Sequence, residues 1–269
     1  MKGAVRRNER GPRTRGLEHQ RGIGLVEVLI SIVLSMLLAI ALFTVLHGTL
    51  TGAVSDRGLS ALQDAERQAG TVIQEIAQQA GYFPVSRNTT VTTAALTPAT
   101  AFPAAPPFGA AGQYVTGTTS PGGQSTMDVR FESAQSANPN EPPTMDCLGA
   151  SALTTTPIVY ENSFFVDPTT ESLDCSVDGG PAHELVGGGG PGGIQVDSMN
   201  VLYGVDTSAT GSVTEYFPAS TVPNWTKVLS AEITITFANP LYDGTGNNGQ
   251  PATVSSTYTV NFLGGGSGA

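Results

Sequence analysis

The chain has 269 residues, a formal net charge of −10, 39% hydrophobic residues and two cysteines. This length suits one ordinary domain with additional segments, or two small domains. Seven of the 12 Lys and Arg residues lie in residues 1–22, where the net charge is +5, whereas the remainder carries −15. Nonspecific nucleic-acid binding depends on Lys and Arg, so the acidic remainder argues against it. Its basic residues are Arg57, Arg67, Arg87, Arg130 and Lys227.

An apolar stretch from Gly22 to Leu46 follows the basic segment. As a helix, the 24 residues after the glycine would be about 36 Å long, enough to cross a hydrocarbon core of about 30 Å. Positive charge beside a membrane helix stays in the cytoplasm, so we predict a single-pass protein with an exported C-terminal part. Glu27 lies within the stretch, and a carboxylate in lipid is costly enough to indicate a function. The alternative is a simple anchor with a tolerated Glu near its cytoplasmic end.

The order of glycine and apolar run differs from that of a secretory signal peptide, whose small-residue cleavage site follows a shorter apolar core. The sequence RGIGLVEV at residues 21–28 resembles the class III leader of type IV prepilins and type II secretion pseudopilins. The resemblance implies that a prepilin peptidase cuts after Gly22 and methylates the new N-terminus at Ile23. It also implies that Glu27 pairs with the amino-terminal charge of a neighbouring subunit and sets the register of assembly. The family most often has Phe at the first mature position, so Ile23 departs from its pattern.

A second helical segment follows the apolar stretch. Gly48 and Gly52 each disfavour helix by up to about 1 kcal/mol relative to alanine, so we expect the helix to bend or loosen there. Helical periodicity returns from Leu59, and Gly81 is a candidate C-cap with a proline three residues later. The apolar face comprises Leu62, Ala65, Ala69, Val72, Ile73, Ile76, Ala77 and Ala80. We predict that this face packs on the domain that follows.

The rest of the chain predicts an antiparallel β-sheet. Alternating apolar and polar residues indicate strands, which we place at 127–132, 158–166, 194–205, 227–237 and 253–262. The predicted fold class is α+β, with a long N-terminal helix packed through its second half on a β-sheet head. The predicted domains are a cleaved basic leader (1–22), a hydrophobic transmembrane and assembly helix (23–50), its amphipathic continuation (51–83) and a periplasmic head (84–269).

Few side chains of the head indicate a binding or catalytic site. Cys147 and Cys175 lie in the exported part, where an oxidising compartment favours a disulfide over two buried thiols. The glycine-rich run 187–193 lacks the Lys-Ser/Thr ending of a phosphate loop and reads as a connection. Residues 243–249 (DGTGNNG) loosely resemble a calcium loop without its closing Glu, so a hairpin turn is the better interpretation. The positions of the three histidines suggest no zinc site or catalytic constellation, so we expect no enzyme, metal or cofactor.

Several segments at the end of the helix and in the head, taken in order, resemble PilW-type minor pilins. They are 64–69 (DAERQA), 79–83 (QAGYF), 146–149 (DCLG), 162–166 (NSFFV), 173–175 (LDC), 199–206 (MNVLYGVD) and 222–228 (VPNWTKV). The resemblance implies a low-abundance subunit that primes pilus assembly at the inner membrane and sits at or near the fibre tip beneath an adhesin. The implied partners are the prepilin peptidase, other minor pilins, the major pilin, the inner-membrane assembly platform, a tip adhesin and, before assembly, membrane lipid.

Other classes of function remain open at this point. A type II secretion pseudopilin of the J type would share the leader and helix but act in a short pseudopilus. A binding module would use the head to bind a surface ligand or DNA, although the acidic balance disfavours DNA. An anchored enzyme is the weakest alternative, because no nucleophile, base and orienting group stand out together. Motility, adhesion and DNA uptake are not distinguished by the sequence.

Overall fold

A computed structural model describes residues 24–83, 97–133, 144–151, 158–188, 190 and 193–266. The chain forms two compact units, Met1–Gly52 and Ala53–Ala269. Helix α1 spans Leu25–Gln78, and a short helix α2 spans Pro98–Ala101. Three single 3-10 turns span Ala219–Thr221, Trp225–Lys227 and Leu263–Gly266. The other regular elements among the described residues are β-strands, which confirms the predicted α+β class.

Helix α1 is uninterrupted at Gly48 and Gly52, where the sequence predicted bending or loosening. Apart from the two chain neighbours and the adjacent helix backbone, no described atom lies within 4 Å of a side-chain carbon placed on either glycine. Between them, the hydroxyls of Thr49 and Thr51 donate to the carbonyl oxygens of Leu46 and His47, 2.8 and 3.0 Å away. Helix formation in the residues on either side therefore outweighs the unfavourable helix propensity of the two glycines.

The head contains nine strands among the described residues. They are β1 Val115–Thr119, β2 Ser125–Glu132, β3 Val159–Asp167, β4 Ser172–Val177, β5 His183–Gly187, β6 Val196–Val205, β7 Glu215–Pro218, β8 Val228–Ala238 and β9 Thr253–Asn261. The five segments predicted as strands correspond to β2, β3, β6, β8 and β9. The four shorter strands β1, β4, β5 and β7 were not predicted.

The strands form two antiparallel sheets, whereas the sequence suggested one. The first sheet has the order β1-β2-β3-β4-β5 and the second the order β7-β6-β8-β9. Every pairing is antiparallel. Local alternation predicts that a strand has one buried face, but the sheet it joins depends on pairing between distant segments.

A single core joins α1 to both sheets. On the second sheet, the register aligns Val201 with Ile233 and Ile233 with Tyr258, so these side chains share the inner face. The fully buried Tyr203, on the same face, donates a hydrogen bond to Thr116 O of the first sheet at 3.3 Å. Its ring also packs edge-on against Trp225 with centroids 4.8 Å apart. The inner face of the second sheet therefore contacts the first sheet.

The amphipathic part of α1 is bonded to both sheets. On one flank, Tyr258 of β9 donates to Glu66 O at 2.6 Å and Ser256 donates to the Glu66 carboxylate at 2.8 Å. On the other flank, Gln68 Nε2 donates to Leu185 O of β5 at 2.9 Å. These bonds agree with the predicted packing of this segment on the head.

The end of α1 is fixed by two backbone hydrogen bonds. Gly81 has φ +79°, the left-handed conformation expected of a C-cap glycine. Its N–H donates to Arg130 O at 2.9 Å, and Gly264 N donates to Ala80 O at 2.9 Å. The chain thus leaves the helix directly beside β2 and the last described turn.

Arg130 is buried, although the alternation of β2 predicted a half-exposed face. Its Nε donates to Gln113 O at 2.7 Å, and its guanidinium lies 4.2 Å from the ring centre of Phe108. The backbone of Phe102 accepts a further bond at 3.3 Å. Desolvation lowers the pKa of Arg130, and the nearby carboxylate of Glu161 partly opposes that effect. Arg130 is thus unavailable to a basic surface patch.

Glu132 is also buried, and its Oε2 has no hydrogen-bond partner among the residues the structure describes. Desolvation raises the pKa of this carboxyl group. A carboxyl group whose pKa is higher in the folded than in the unfolded chain favours the folded state when it is protonated. This contribution is fully present below the pKa of the unfolded chain and is lost as pH rises through the pKa of the folded chain. Glu132→Gln should therefore stabilise the head at pH 7, by about 1 kcal/mol, and the gain should shrink towards pH 4.

Chemical denaturation of the full chain in micelles, followed by the fluorescence of Trp225, measures this difference. Trp225 is the one tryptophan of the chain and lies in the head. The matched control is Glu215→Gln, which neutralises an exposed carboxylate of β7. A stability gain of equal size at pH 4 and pH 7 would contradict the ionisation argument.

Candidate functional site

The apolar first part of α1 is the first candidate functional site. The helix is long and apolar enough to cross a membrane by length and composition. Its large apolar side chains from Leu25 to Leu50 are between 46% and 76% exposed. Because so large an apolar surface is unfavourable in water, this segment requires lipid or other apolar helices around it.

Glu27 lies in the first turn of this helix. Its backbone N–H donates to Gly24 O at 2.9 Å, and its carbonyl accepts from Ser31 Oγ at 2.7 Å. The carboxylate is exposed and makes no hydrogen bond or ion pair with any described residue. Its position near a helix N-terminus is electrostatically favourable for a negative charge. The predicted cleavage residues Gly22 and Ile23 lie outside the described residues.

The other polar side chains of the apolar segment bond their own helix. Ser31, Ser35 and Thr44 donate to carbonyl oxygens three or four residues earlier, at 2.7 to 2.9 Å. Such bonds make hydroxyl side chains tolerable in an apolar medium. Within residues 25–46 of the described helix, the Glu27 carboxylate is therefore the side-chain group that still needs a partner.

A disulfide joins Cys147 to Cys175 of β4, with their Cα atoms 6.5 Å apart. This is the bridge that the sequence favoured over two buried thiols. The buried Asn162 of β3 accepts a hydrogen bond from Cys147 N at 2.8 Å. The bridge therefore ties the segment 144–151 to the middle of the first sheet.

Replacing both cysteines by serine should destabilise the head without changing its fold. The sequence separation is 28 residues, for which loop-closure entropy predicts a loss of about 3 to 4 kcal/mol. Denaturation of the full chain in micelles, followed by Trp225 fluorescence, measures the loss. Asn162→Ala is a comparison that removes the bond to Cys147 N and keeps the disulfide. Equal stability of the double-serine variant and the parent would contradict this role.

The loop that loosely resembled a calcium site is closed by its own backbone. Asp243 Oδ1 accepts from Thr245 N and Gly246 N at 2.9 and 2.6 Å, and its Oδ2 accepts from Asn248 N at 3.2 Å. The hydrogen bond from Thr245 N is the largest cause of a lowered pKa at Asp243. No group of three His, Cys, Asp or Glu residues suited to a metal occurs in the described part of the chain. The segment is a turn between β8 and β9.

The glycine-rich run also serves as a connection in its described part. Gly187 ends β5, and β6 begins at Val196 without an intervening helix among the described residues. A side-chain carbon at Gly187 would lie 2.8 Å from Val196, and the residue has φ +106°. Glycine is therefore needed here for close packing and for backbone conformation rather than for phosphate binding.

Comparison with known proteins supports the resemblance of the head. Residues 171–263 match the family described as type IV pilus-assembly protein W. A type IV-like pilin from Thermus thermophilus is a structural match at 11% identity and a TM-score of 0.39, covering 76% of this chain and 97% of that chain. No curated protein matches the chain. The family match begins just before β4 and extends to the residue after Phe262, so it includes most of the head's strands. Over these residues the chain is therefore similar to the family described as type IV pilus-assembly protein W.

Proposed function

We propose that this chain is a minor pilin that takes part in type IV pilus assembly. The observation that carries the proposal is the carboxylate of Glu27, which has no partner among the described residues and lies in the first turn of an apolar, membrane-length helix. A buried charge in lipid is strongly unfavourable until it finds an opposite charge. A neighbouring subunit that offers its N-terminal amine supplies that charge and fixes the relative position of two helices.

In this proposal the protein occupies two environments in succession. The leader is cut after Gly22, Ile23 becomes the N-terminus, and the chain stays in the inner membrane with its head in the periplasm. It then moves into a bundle of similar helices. There it primes the fibre and remains at or near the tip with other minor pilins, the major pilin and an adhesin, on the inner-membrane assembly platform. Its role is structural rather than catalytic.

A type II secretion pseudopilin of the J type is the second candidate. The helix and Glu27 support it equally, because a pseudopilus uses the same leader and docking chemistry. The family match to type IV pilus-assembly protein W over residues 171–263 favours the pilus. Affinity isolation from cross-linked membranes separates the two, since a minor pilin should retain pilins and a pseudopilin should retain secretion components.

Deletion of the gene tests the proposal directly. We expect the number of surface pili to fall about tenfold or more, and the intact chain to restore it when expressed from a plasmid. Secretion of type II substrates should be unaffected. Normal piliation with impaired secretion would instead support the pseudopilin, and a deletion that affects neither would contradict both.

A further inference from the structure

The outer strand β9 has a free edge that no described element covers. Strand β9 ends the second sheet, contains nine residues and carries no charge and no proline. Exposed strand edges can pair with other chains, and natural proteins usually protect them with charges, prolines, short strands or covering segments. An unprotected edge of this length therefore calls for a partner.

The other three sheet edges each have such protection. The turns Ala219–Thr221 and Trp225–Lys227 lie beside β1. A backbone carbonyl of β5, Leu185 O, is bonded to Gln68 of α1, whereas the bonds between β9 and α1 use the side chains of Ser256 and Tyr258. Strand β7 has four residues and ends at Pro218. In the described part of the chain, β9 thus differs from every other sheet edge.

The register fixes which peptide groups of β9 face outward. In an antiparallel pair, alternate residues exchange both hydrogen bonds with the neighbouring strand. Asn239 N donates to Ala252 O and Phe262 N donates to Leu229 O, both at 2.9 Å, so even-numbered residues bond β8. The odd-numbered residues direct their N–H and C=O groups away from the sheet. They are Thr253, Ser255, Thr257, Thr259 and Asn261, and all five are exposed.

Among the described residues, none of these outward peptide groups has a hydrogen-bond partner. Their side chains extend a row of hydroxyls that already crosses from β8 to β9. Thr234 and Thr257 are 2.9 Å apart between hydroxyl oxygens, as are Thr236 and Ser255. A further strand of uncharged residues would continue both the backbone ladder and this row, whereas a charged residue would meet no opposite charge on β9.

A second copy of the chain does not fit this edge. Antiparallel pairing of two identical strands requires a two-fold axis perpendicular to the sheet. Residues 53–78 of α1 pack on the inner face of this sheet through Gly70 and Tyr258, so the axis would reverse their direction in one copy. Residue 53, where each chain continues into its apolar segment, would then lie at opposite ends of the pair. The two chains would then continue into their apolar segments from opposite ends of the pair, which does not suit two copies inserted in one membrane from the same side.

We propose that β9 binds an extended, uncharged segment of another protein as an additional strand. Main-chain hydrogen bonds to five consecutive odd-numbered residues supply the affinity, and the exposed hydroxyl row selects against charged strands. The interaction surface belongs to the head alone and does not rest on the proposed role of Glu27. Failure of this inference would therefore leave the piliation experiments unaffected.

Amide hydrogen exchange of the full chain in micelles tests the proposal. The probe is a synthetic peptide with the sequence of residues 252–262, which is uncharged and has no membrane anchor to restrict its direction. At about 1 mM peptide, exchange of the outward amides of Ser255, Thr257 and Thr259 should slow about tenfold or more. The amides of Ser256 and Tyr258 are already bonded to β8 and should not change. A peptide N-methylated throughout should give no protection.

Two variants of one residue separate backbone pairing from side-chain effects. Thr257→Pro removes an outward N–H without breaking the bonds to β8, a position where strands tolerate proline, and should abolish the protection of Ser255 and Thr259. Thr257→Val keeps the N–H and should preserve it. Unchanged exchange on peptide addition would overturn the proposal. Protection that appears without peptide and increases with protein concentration would also overturn it, by identifying a second copy as the occupant.

Discussion

Replacing Glu27 by alanine is expected to leave the protein in the membrane but to reduce surface pili about tenfold or more, to the level of the gene deletion. Removing the carboxylate makes the apolar segment easier to insert, because a charge in lipid is unfavourable. It also removes the group that would neutralise the amine of a neighbouring subunit. Counting pili by electron microscopy, beside immunoblots of membrane fractions, measures both effects.

Two further variants test the charge itself. Glu27→Gln keeps the size of the side chain and removes its charge, so it should behave like the alanine variant. Glu75→Ala removes an exposed carboxylate from the part of α1 that packs on the head and should leave piliation unchanged. Normal pilus numbers with Glu27→Ala would count strongly against a docking role for Glu27.

Replacing Gly70 by leucine is expected to destabilise the head by roughly 2 to 3 kcal/mol. A side-chain carbon at Gly70 would lie 2.3 Å from Cε1 and 2.8 Å from Cδ1 of Tyr258. The ring cannot swing aside without breaking the bond from its hydroxyl to Glu66 O, at 2.6 Å. The better helix propensity of leucine offsets only part of this loss. Denaturation followed by Trp225 fluorescence measures it.

The matched control is Thr71→Leu, which places the same side chain one position along, on the exposed face of α1. It should change stability by less than about 0.5 kcal/mol. In a double-mutant cycle, Tyr258→Ala should relieve much of the effect of Gly70→Leu, because the clash then has no partner. Equal stability of the Gly70→Leu and Thr71→Leu variants would contradict the close packing of α1 on β9.

The elements that sequence reasoning placed well are those with a simple local pattern. In β8, Ile233 and Ile235 alternate with Thr234 and Thr236, and the structure buries the first pair and leaves the second pair less buried. Gly81 stands directly after the helical pattern, and its positive φ follows from its position. Such local patterns predict an element without information about contacts between residues that are far apart in the sequence.

The missed strands lack that simple alternation. In β4, Ser172 and Asp174 are buried together with Leu173 and Cys175, because the serine hydroxyl donates to the aspartate carboxylate at 2.5 Å. In β1, a side-chain carbon at Gly117 would lie 2.1 Å from the hydroxyl of Tyr203, a residue far away in sequence. Polar side chains are required in β4, and a glycine in β1, because of contacts with the neighbouring strand or with the other sheet.

The buried state of Arg130 was unpredictable for a similar reason. The segment that contains Phe102 and Phe108 packs over Arg130. The sequence of this segment has little periodicity and did not indicate where it would pack. Glu27 shows the opposite case. Its significance is visible from its place in the apolar stretch, and the structure adds that the carboxylate has no partner among the described residues.

The most direct test of the central claim is mass spectrometry of this chain recovered from sheared, purified pili. We predict a peptide that begins at Ile23, with or without an N-methyl group, in the pilus fraction. That result would establish both cleavage after Gly22 and entry into the fibre. A chain found only in membranes, with residues 1–22 still attached, would contradict the account and leave a simple membrane anchor.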